Sequence, residues 1–209
     1  MPEPVLLAFD DVPRETSVKL KLFEELLRAE NTRQNLVSAS SLDQLWLRHF
    51  SDSAQLIRFA PPDARSWIDL GTGAGFPGLI VALLWPGRVT LVEERRLRHE
   101  FLERAVGELG LSDRVHVQGA KAERVPQLPY DVISARAFAP LPKLLDLAAG
   151  FSTEKTVWIL PKGRQAKAEL EAVRETWQGE FQLEPSVTDV DATVIVARGV
   201  TRLGRKEKA

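Results

Sequence analysis

The stretch Trp67-Ile68-Asp69-Leu70-Gly71-Thr72-Gly73-Ala74-Gly75-Phe76-Pro77-Gly78 sets an acid two positions before the first of three glycines at alternate spacing. Glycines there let a strand turn tightly into a helix and let the backbone approach a ligand with no Cβ in the way. The stretch reads as the floor of a nucleotide-like cofactor site. A P-loop would need a Gly-Lys-Ser/Thr ending to hold phosphate and magnesium, and Phe76-Pro77-Gly78 stands there instead. A dinucleotide fingerprint would space its glycines G-x-G-x-x-G, whereas Gly71, Gly73 and Gly75 follow G-x-G-x-G. The expected companion is an acid closing the next strand, where a carboxylate can accept both ribose hydroxyls. Thr90-Leu91-Val92-Glu93 supplies it, about twenty residues after Gly71, as a βαβ unit requires. Taken singly, the glycines could serve only a tight loop and Glu93 could be a solvated surface acid. Asp69, the glycines and Glu93 together favour the cofactor.

The elements around this motif follow from periodicity. Over 16–30, Val18, Leu22, Phe23, Leu26 and Leu27 fall at helical spacing, with Lys19, Lys21, Glu24, Glu25 and Arg28 between them, which predicts an amphipathic helix. Leu42, Leu45, Trp46, His49, Phe50 and Ile57 predict a second helix, capped by Ser40 or Ser41 and ended by Pro61-Pro62. Beyond Pro62 short apolar runs alternate with helical patterns, the grammar of a parallel sheet with crossover helices. Strands are expected at 66–70, 88–92, 115–118, 132–135 and 157–160, and helices at 79–84, 97–109, 141–149 and 166–177. Strands at 182–188 and 192–197 would finish the sheet as a hairpin. Three regions follow: a helical extension over 1–62, an α/β domain over 63–198 and a basic tail over 199–209. At the close of the chain Arg198, at the domain's end, and Arg202, Arg205, Lys206 and Lys208 of the tail face a single Glu207 and read as a solvated terminus, with phosphate binding as the functional alternative.

Composition narrows the chemistry by exclusion. The chain's 209 residues suffice for one sizeable core, and they show no repeat or low-complexity tract. With 28 Lys+Arg against 29 Asp+Glu the net charge is −1, so a polyanionic partner must be met by a local patch. The absence of cysteine excludes disulfides, thiolate metal sites and cysteine nucleophiles, and fits a reducing compartment. No metal site is expected. No run of 18 apolar residues occurs, and Met1-Pro2-Glu3-Pro4 lacks the look of a signal peptide, so a soluble cytoplasmic protein away from membranes is expected.

The spacing of Asp69 and the glycines resembles motif I of the Rossmann-like methyltransferases that use S-adenosyl-L-methionine. That resemblance implies an α/β fold with a mostly parallel seven-stranded sheet and helices on both faces, here with an N-terminal helical extension. Methylation at C5 of a pyrimidine needs a covalent nucleophile, normally Cys, and there is none. Exocyclic base amines are usually met by an Asn/Asp-Pro-Pro-Tyr/Phe run after strand four. Ser134-Ala135-Arg136-Ala137-Phe138-Ala139-Pro140 stands there instead, and Pro129-Tyr130 lies on the wrong side of the strand. Alkylation of an atom with a free lone pair and no proton to lose remains easy; guanine N7, on the Hoogsteen edge, is such an atom, and there positioning without a general base suffices.

Asn35-Leu36, Arg48-His49, Asp52-Ser53, the run from Gly71 to Gly78, Ala122-Glu123, Ser134-Ala135-Arg136-Ala137-Phe138-Ala139 and Lys162-Gly163 occur in that order. Together they resemble the bacterial small-subunit ribosomal RNA guanine-N7 methyltransferases, the glucose-inhibited-division protein B family, which modify guanine 527 in the 530 loop of 16S RNA. The resemblance implies 16S ribosomal RNA or the small ribosomal subunit as partner; a monomer is expected. It implies that Gly71 and Phe76 contact the cofactor above a floor shaped by Asp69, Gly73 and Gly75. Glu93, where the family more often has Asp, would hold the ribose side with Glu94 and Arg95, and Ala122 and Glu123 would flank adenine. Arg136 would sit beside the methionine end and the target base, holding either the cofactor carboxylate or guanine O6.

Phe138 either stacks on the base or packs in the core. His49, beside Trp46 and Phe50 on its helix face, reads as a packed or bridging histidine more than a proton carrier, with Asp52 as its partner. Arg33, Arg48, Lys162 and Arg164 are the candidates for RNA phosphates, or else solvated charges. Before the last strand, Asp189-Val190-Asp191-Ala192-Thr193 departs from the basic, His-containing run usual in the family. The alternatives are a methyltransferase of the same fold acting on a small molecule or protein, and a non-catalytic cofactor-binding module.

Overall fold

A computed structural model describes Phe9 and residues 12–204, so Arg205, Lys206, Glu207 and Lys208 of the expected tail lie outside the described residues. Helix α1 spans Arg14–Asn31 and buries Leu20, Phe23 and Leu27, one side of the predicted amphipathic pattern. It stops because Asn31 Oδ1 takes the backbone amides of Leu36 and Val37, both at 2.9 Å, and folds the chain back.

The second predicted helix is a chain of four short segments. Helix α2 (Ala39–Asp43) is capped by Ser38, whose hydroxyl accepts from the Ser41 amide, so the cap lies earlier than Ser40 or Ser41. A π-helical turn (Trp46–Ser51), helix α3 (Asp52–Ala54) and a 3₁₀ turn (Gln55–Phe59) follow. These segments pack Leu45, Phe50 and Leu56 into the same core as α1.

Strands β1 (Ser66–Leu70), β2 (Arg88–Val92), β3 (Val115–Gln118), β4 (Val132–Ser134) and β5 (Val157–Lys162) are parallel. Strands β6 (Trp177–Pro185) and β7 (Thr193–Arg202) complete a sheet of order β3-β2-β1-β4-β5-β7-β6, with β7 antiparallel to both neighbours. Helices α4 (Gly78–Leu84) and α5 (Arg96–Glu108) cover one face, and α6 (Leu141–Ala148) and α7 (Ala166–Glu171) the other.

Alternation along β1 serves both layers: Trp67 packs with α4 and α5, while Ile68 and Leu70 pack with α6 and α7. Trp67 and Trp158 are fully buried, and each such side chain stabilises the fold by roughly 3 kcal/mol through apolar area removed from water.

The C-terminal elements depart from the predicted boundaries. Helix α7 ends at Glu171 rather than near 177, because Trp177 pairs with Arg202 in the hairpin and becomes the first residue of β6. Strand β7 runs through Arg202, so Arg198 and Arg202 belong to the sheet, and the described part of the expected basic tail is largely strand.

Candidate active site

Two cavities open at the C-terminal ends of the parallel strands, on either side of the point where strand order reverses between β1 and β4. That is where open α/β sheets bind ligands, because the loops diverge there and leave a crevice.

The smaller cavity, about 340 Å³, lies over the ends of β1, β2 and β3. Gly71, Glu93, Glu94, Arg95, Ala122 and Glu123, which the resemblance assigns to the cofactor, all line it. The turn after β1 is tied down by the Gly71 and Thr72 amides, which both donate to the Val92 carbonyl at 2.9 and 3.1 Å. Gly71 (φ +67) and Gly73 (φ +60) adopt left-handed backbone that favours glycine. A Cβ on Gly71 would come within 2.3 Å of Phe138 Cδ2, so that ring closes on the glycine backbone.

Glu93 is buried, and its carboxylate clasps the loop: Oε2 accepts from the Gly73 amide at 3.0 Å and Oε1 from the Arg95 amide at 2.8 Å. Each oxygen keeps a further lone pair for a ligand hydroxyl.

Several expected contacts lie elsewhere. Asp69 is fully buried beneath the turn and does not line the crevice. Its Oδ2 accepts from the Gly78 amide at 3.0 Å and its Oδ1 from the Ser134 hydroxyl at 2.6 Å, while Ser134 Oγ accepts from Trp67 Nε1 at 2.8 Å. Burial pushes its pKa up to about 6, against the pull of the Ser134 and Gly78 hydrogen bonds. Asp69 therefore shapes the loop from below. The Phe76 ring faces the core, with ring-centroid distances of 5.6 Å to Phe23 and 4.8 Å to His49, so it is no wall of the crevice. Gly75 turns toward Leu79 and Phe23. Arg98 and Lys143 line the same cavity and were missed, because cations on helical faces carry no local signal of a site.

The larger cavity, about 940 Å³, lies between the π-helical turn, the loop after β4 and the loop joining β6 to β7. Arg136 lines this cavity rather than the smaller one. Its Nη1 donates to Asp52 Oδ2 at 3.1 Å and to the Arg48 carbonyl at 3.3 Å, and its Nη2 lies 2.9 Å from His49 Nδ1. The guanidinium carbon also stands 5.3 Å from the Phe76 ring centroid, within cation–π range. Asp52 is thus the side-chain partner of Arg136, and the side chains of His49 and Asp52 are bridged by that arginine. Burial, with the Arg136 and Arg48 charges, lowers the His49 pKa to about 3, so the ring is neutral.

The two cavities share one wall, Ala137, Phe138 and Ala139. Ala137 holds φ +51, a strained left-handed conformation for a residue with a Cβ. Phe138 therefore stands between the cavities and is only partly buried.

Of the expected RNA contacts, Arg48 is exposed at the rim of the larger cavity. Lys162 is not free: its Nζ donates to the Ala139 carbonyl at 2.9 Å and to Glu169 Oε2 at 2.8 Å, and that carboxylate also caps the Leu141 amide at the start of α6. Lys162 therefore pins the shared wall. Arg164 is exposed and paired with Asp191 at 2.5 Å, and Arg33 is exposed near Glu30 at 3.5 Å and lines neither cavity. Among the described residues no cluster of three or more His, Cys, Asp or Glu could hold a metal ion, and no helix is long and apolar enough to cross a membrane.

Comparison with known proteins agrees with this geometry. A family model described as rRNA small subunit methyltransferase G matches residues 16–196. Curated proteins named ribosomal RNA small subunit methyltransferase G include one from Rhizorhabdus wittichii, 50% identical and spanning 94% of this chain and 92% of its own. Another, from Zymomonas mobilis, is 47% identical over 93% and 92%. Among solved structures, cofactor-bound Rv0187 from MTB superposes with a TM-score of 0.64 at 17% identity, covering 95% of this chain and 98% of its own. An O-methyltransferase from Bacillus cereus in complex with SAH superposes at 0.58 and 16% identity, covering 91% and 93%. The fold is the Rossmann-like methyltransferase fold.

Proposed function

The chain belongs to the rRNA small subunit methyltransferase G family, and on that premise we propose that it transfers a methyl group from S-adenosyl-L-methionine to N7 of a guanine in 16S ribosomal RNA, position 527 of the 530 loop. The observation that carries this reading is the shared wall: a cavity lined by the buried acid Glu93 adjoins a larger one faced by a guanidinium.

The residues of the smaller cavity fit the cofactor. The Cβ-free backbone at Gly71 leaves room for it, the spare lone pairs of Glu93 suit a vicinal diol, and Ala122 with Glu123 offers backbone to an adenine edge. Arg98 and Lys143 place positive charge on the same cavity, where a carboxylate can be met. When bound, the cofactor supplies an electrophilic methyl group on a sulfonium.

The rest of the task is positioning. Guanine N7 already carries its lone pair, so no group must remove a proton. That suits a cavity whose histidine is neutral and already engaged by Arg136. Arg136 has donors that match guanine O6 and leave N7 open to the methyl group, and Phe138 offers an aromatic face beside it. Orientation of this kind accounts for large rate factors without acid–base chemistry.

The test is to incubate the purified protein and radiolabelled S-adenosyl-L-methionine with free 16S RNA, with small ribosomal subunits and with a pool of small metabolites, then to map 7-methylguanine by chain cleavage. Label at a single guanine of the RNA is the expected result. Label confined to metabolites overturns the reading.

A further inference from the structure

Gln55 is buried beside Asp52, and its side chain joins two parts of the molecule, the N-terminal helical segment and the loop between β6 and β7. Its Nε2 donates to Asp52 Oδ1 at 2.8 Å and lies 3.1 Å from Ser186 Oγ, while its Oε1 accepts from the Val187 amide at 3.0 Å. The Thr188 hydroxyl donates to the same Asp52 Oδ1 at 2.9 Å. Two donors thus engage one oxygen of Asp52 and turn the other, Oδ2, toward Arg136. The loop they come from contributes Ser186, Thr188, Asp189 and Val190 to the cavity wall, and Arg58 reinforces its attachment by donating to the Pro185 carbonyl at 3.2 Å.

A carboxylate with one oxygen saturated has few orientations left, and a guanidinium held by that carboxylate, a carbonyl and an imidazole inherits its aim. We infer that Gln55 is a positioning residue for the methyl transfer: it locks the loop between β6 and β7 onto the N-terminal helical segment and thereby sets the orientation of Asp52 and Arg136. This inference rests on the methyltransferase reading above for its consequence in turnover, and on geometry alone for the lock. None of these hydrogen bonds reaches the smaller cavity, so cofactor affinity lies outside its influence.

The test compares Gln55→Met, which keeps length and removes every polar bond, with Thr188→Val, which removes one donor to Asp52 and serves if Gln55→Met does not fold. Turnover on small-subunit RNA should fall about tenfold in either variant, within what a misaimed orienting group costs, with the cofactor Kd unchanged by calorimetry. In an Arg136→Ala background the same substitution should cost no further turnover, because its effect passes through that arginine.

A second readout needs no catalysis. Proton exchange at the Arg136 guanidinium, followed by nitrogen-15 NMR, should speed up at least tenfold in either variant, an order-of-magnitude expectation for loss of a well-held partner. Equal loss of turnover in both backgrounds, or unchanged guanidinium exchange, overturns the inference. A wild-type protein that labels no RNA overturns the methyltransferase reading alone and leaves the exchange measurement to decide the lock.

Discussion

Arg136 Nη2 stands 2.9 Å from His49 Nδ1, and a guanidinium has no acceptor, so Nδ1 takes the hydrogen bond and the ring carries its proton on Nε2. The histidine that the sequence places on an apolar helix face is therefore a neutral brace for Arg136, which faces the larger cavity.

That tautomer is directly observable. His49 should show the Nε2–H form by nitrogen-15 NMR and should stay neutral down to about pH 4, since its pKa falls from 6.5 to about 3. Between those values the unfolded chain binds a proton that the folded one refuses. His49 thus makes stability fall as pH drops from about 6.5 toward 3 and has no effect above. A His49 signal titrating near 6.5 would show that the contact with Arg136 is not made.

Asp69 has the opposite sign. Its carboxyl keeps a proton up to about pH 6 in the folded protein and loses it near 3.8 when unfolded, so its contribution declines as pH rises from about 4 to 6 and is flat above. The span corresponds to ~3 kcal/mol. Asp69→Asn, which can still accept from Gly78 or Ser134, should remove this decline when denaturant unfolding is compared at pH 4.5 and 7. Parallel curves for the two proteins would refute the assignment.

Gly71→Ala meets two obstacles, a φ of +67 and a Cβ position 2.3 Å from Phe138 Cδ2. Loss of stability on the order of 1–3 kcal/mol is expected, together with weaker cofactor binding. Adding Phe138→Ala removes the clash but not the strain. The double variant should regain part of the cofactor affinity measured by calorimetry, and no recovery would mean that the ring does not lie on the glycine.

Lys162→Met should lower stability by about 1–3 kcal/mol, because it strips Glu169 and the Ala139 carbonyl of a shielded cation. The salt dependence of RNA binding should keep its slope. A slope smaller by about one would instead mean that Lys162 neutralises a phosphate.

The parallel strands and the crevice at the ends of β1 and β2 were legible because their determinants are local. Glycines at alternate positions impose a turn, an acid closing the next strand lands beside it, and apolar runs between helical patterns announce buried parallel strands. Gly71, Glu93, Ala122 and Glu123 accordingly line one cavity. The second helix was less legible. Its apolar spacing fits a continuous helix, whereas tertiary packing and the bond from Arg136 to the Arg48 carbonyl accompany a π-helical turn. Trp177 suits a helix end as well as a strand start, and only its pairing with Arg202 distinguishes them.

What the sequence determined by itself was the family of fold and the glycine turn that closes β1. The tertiary structure decided which polar groups touch. Asp69 goes under the loop because its neighbours Gly78 and Ser134 converge there, Arg136 turns to Asp52 and His49 rather than to the crevice, and Lys162 is taken up by Glu169. Gln55 and Thr188 lie far apart along the chain, yet both end on one carboxylate oxygen. Short-range periodicity encodes which face of an element is buried. Partners for buried charge are chosen only after distant elements dock, when each unpaired polar group must find whatever donor or acceptor the packing has brought within reach.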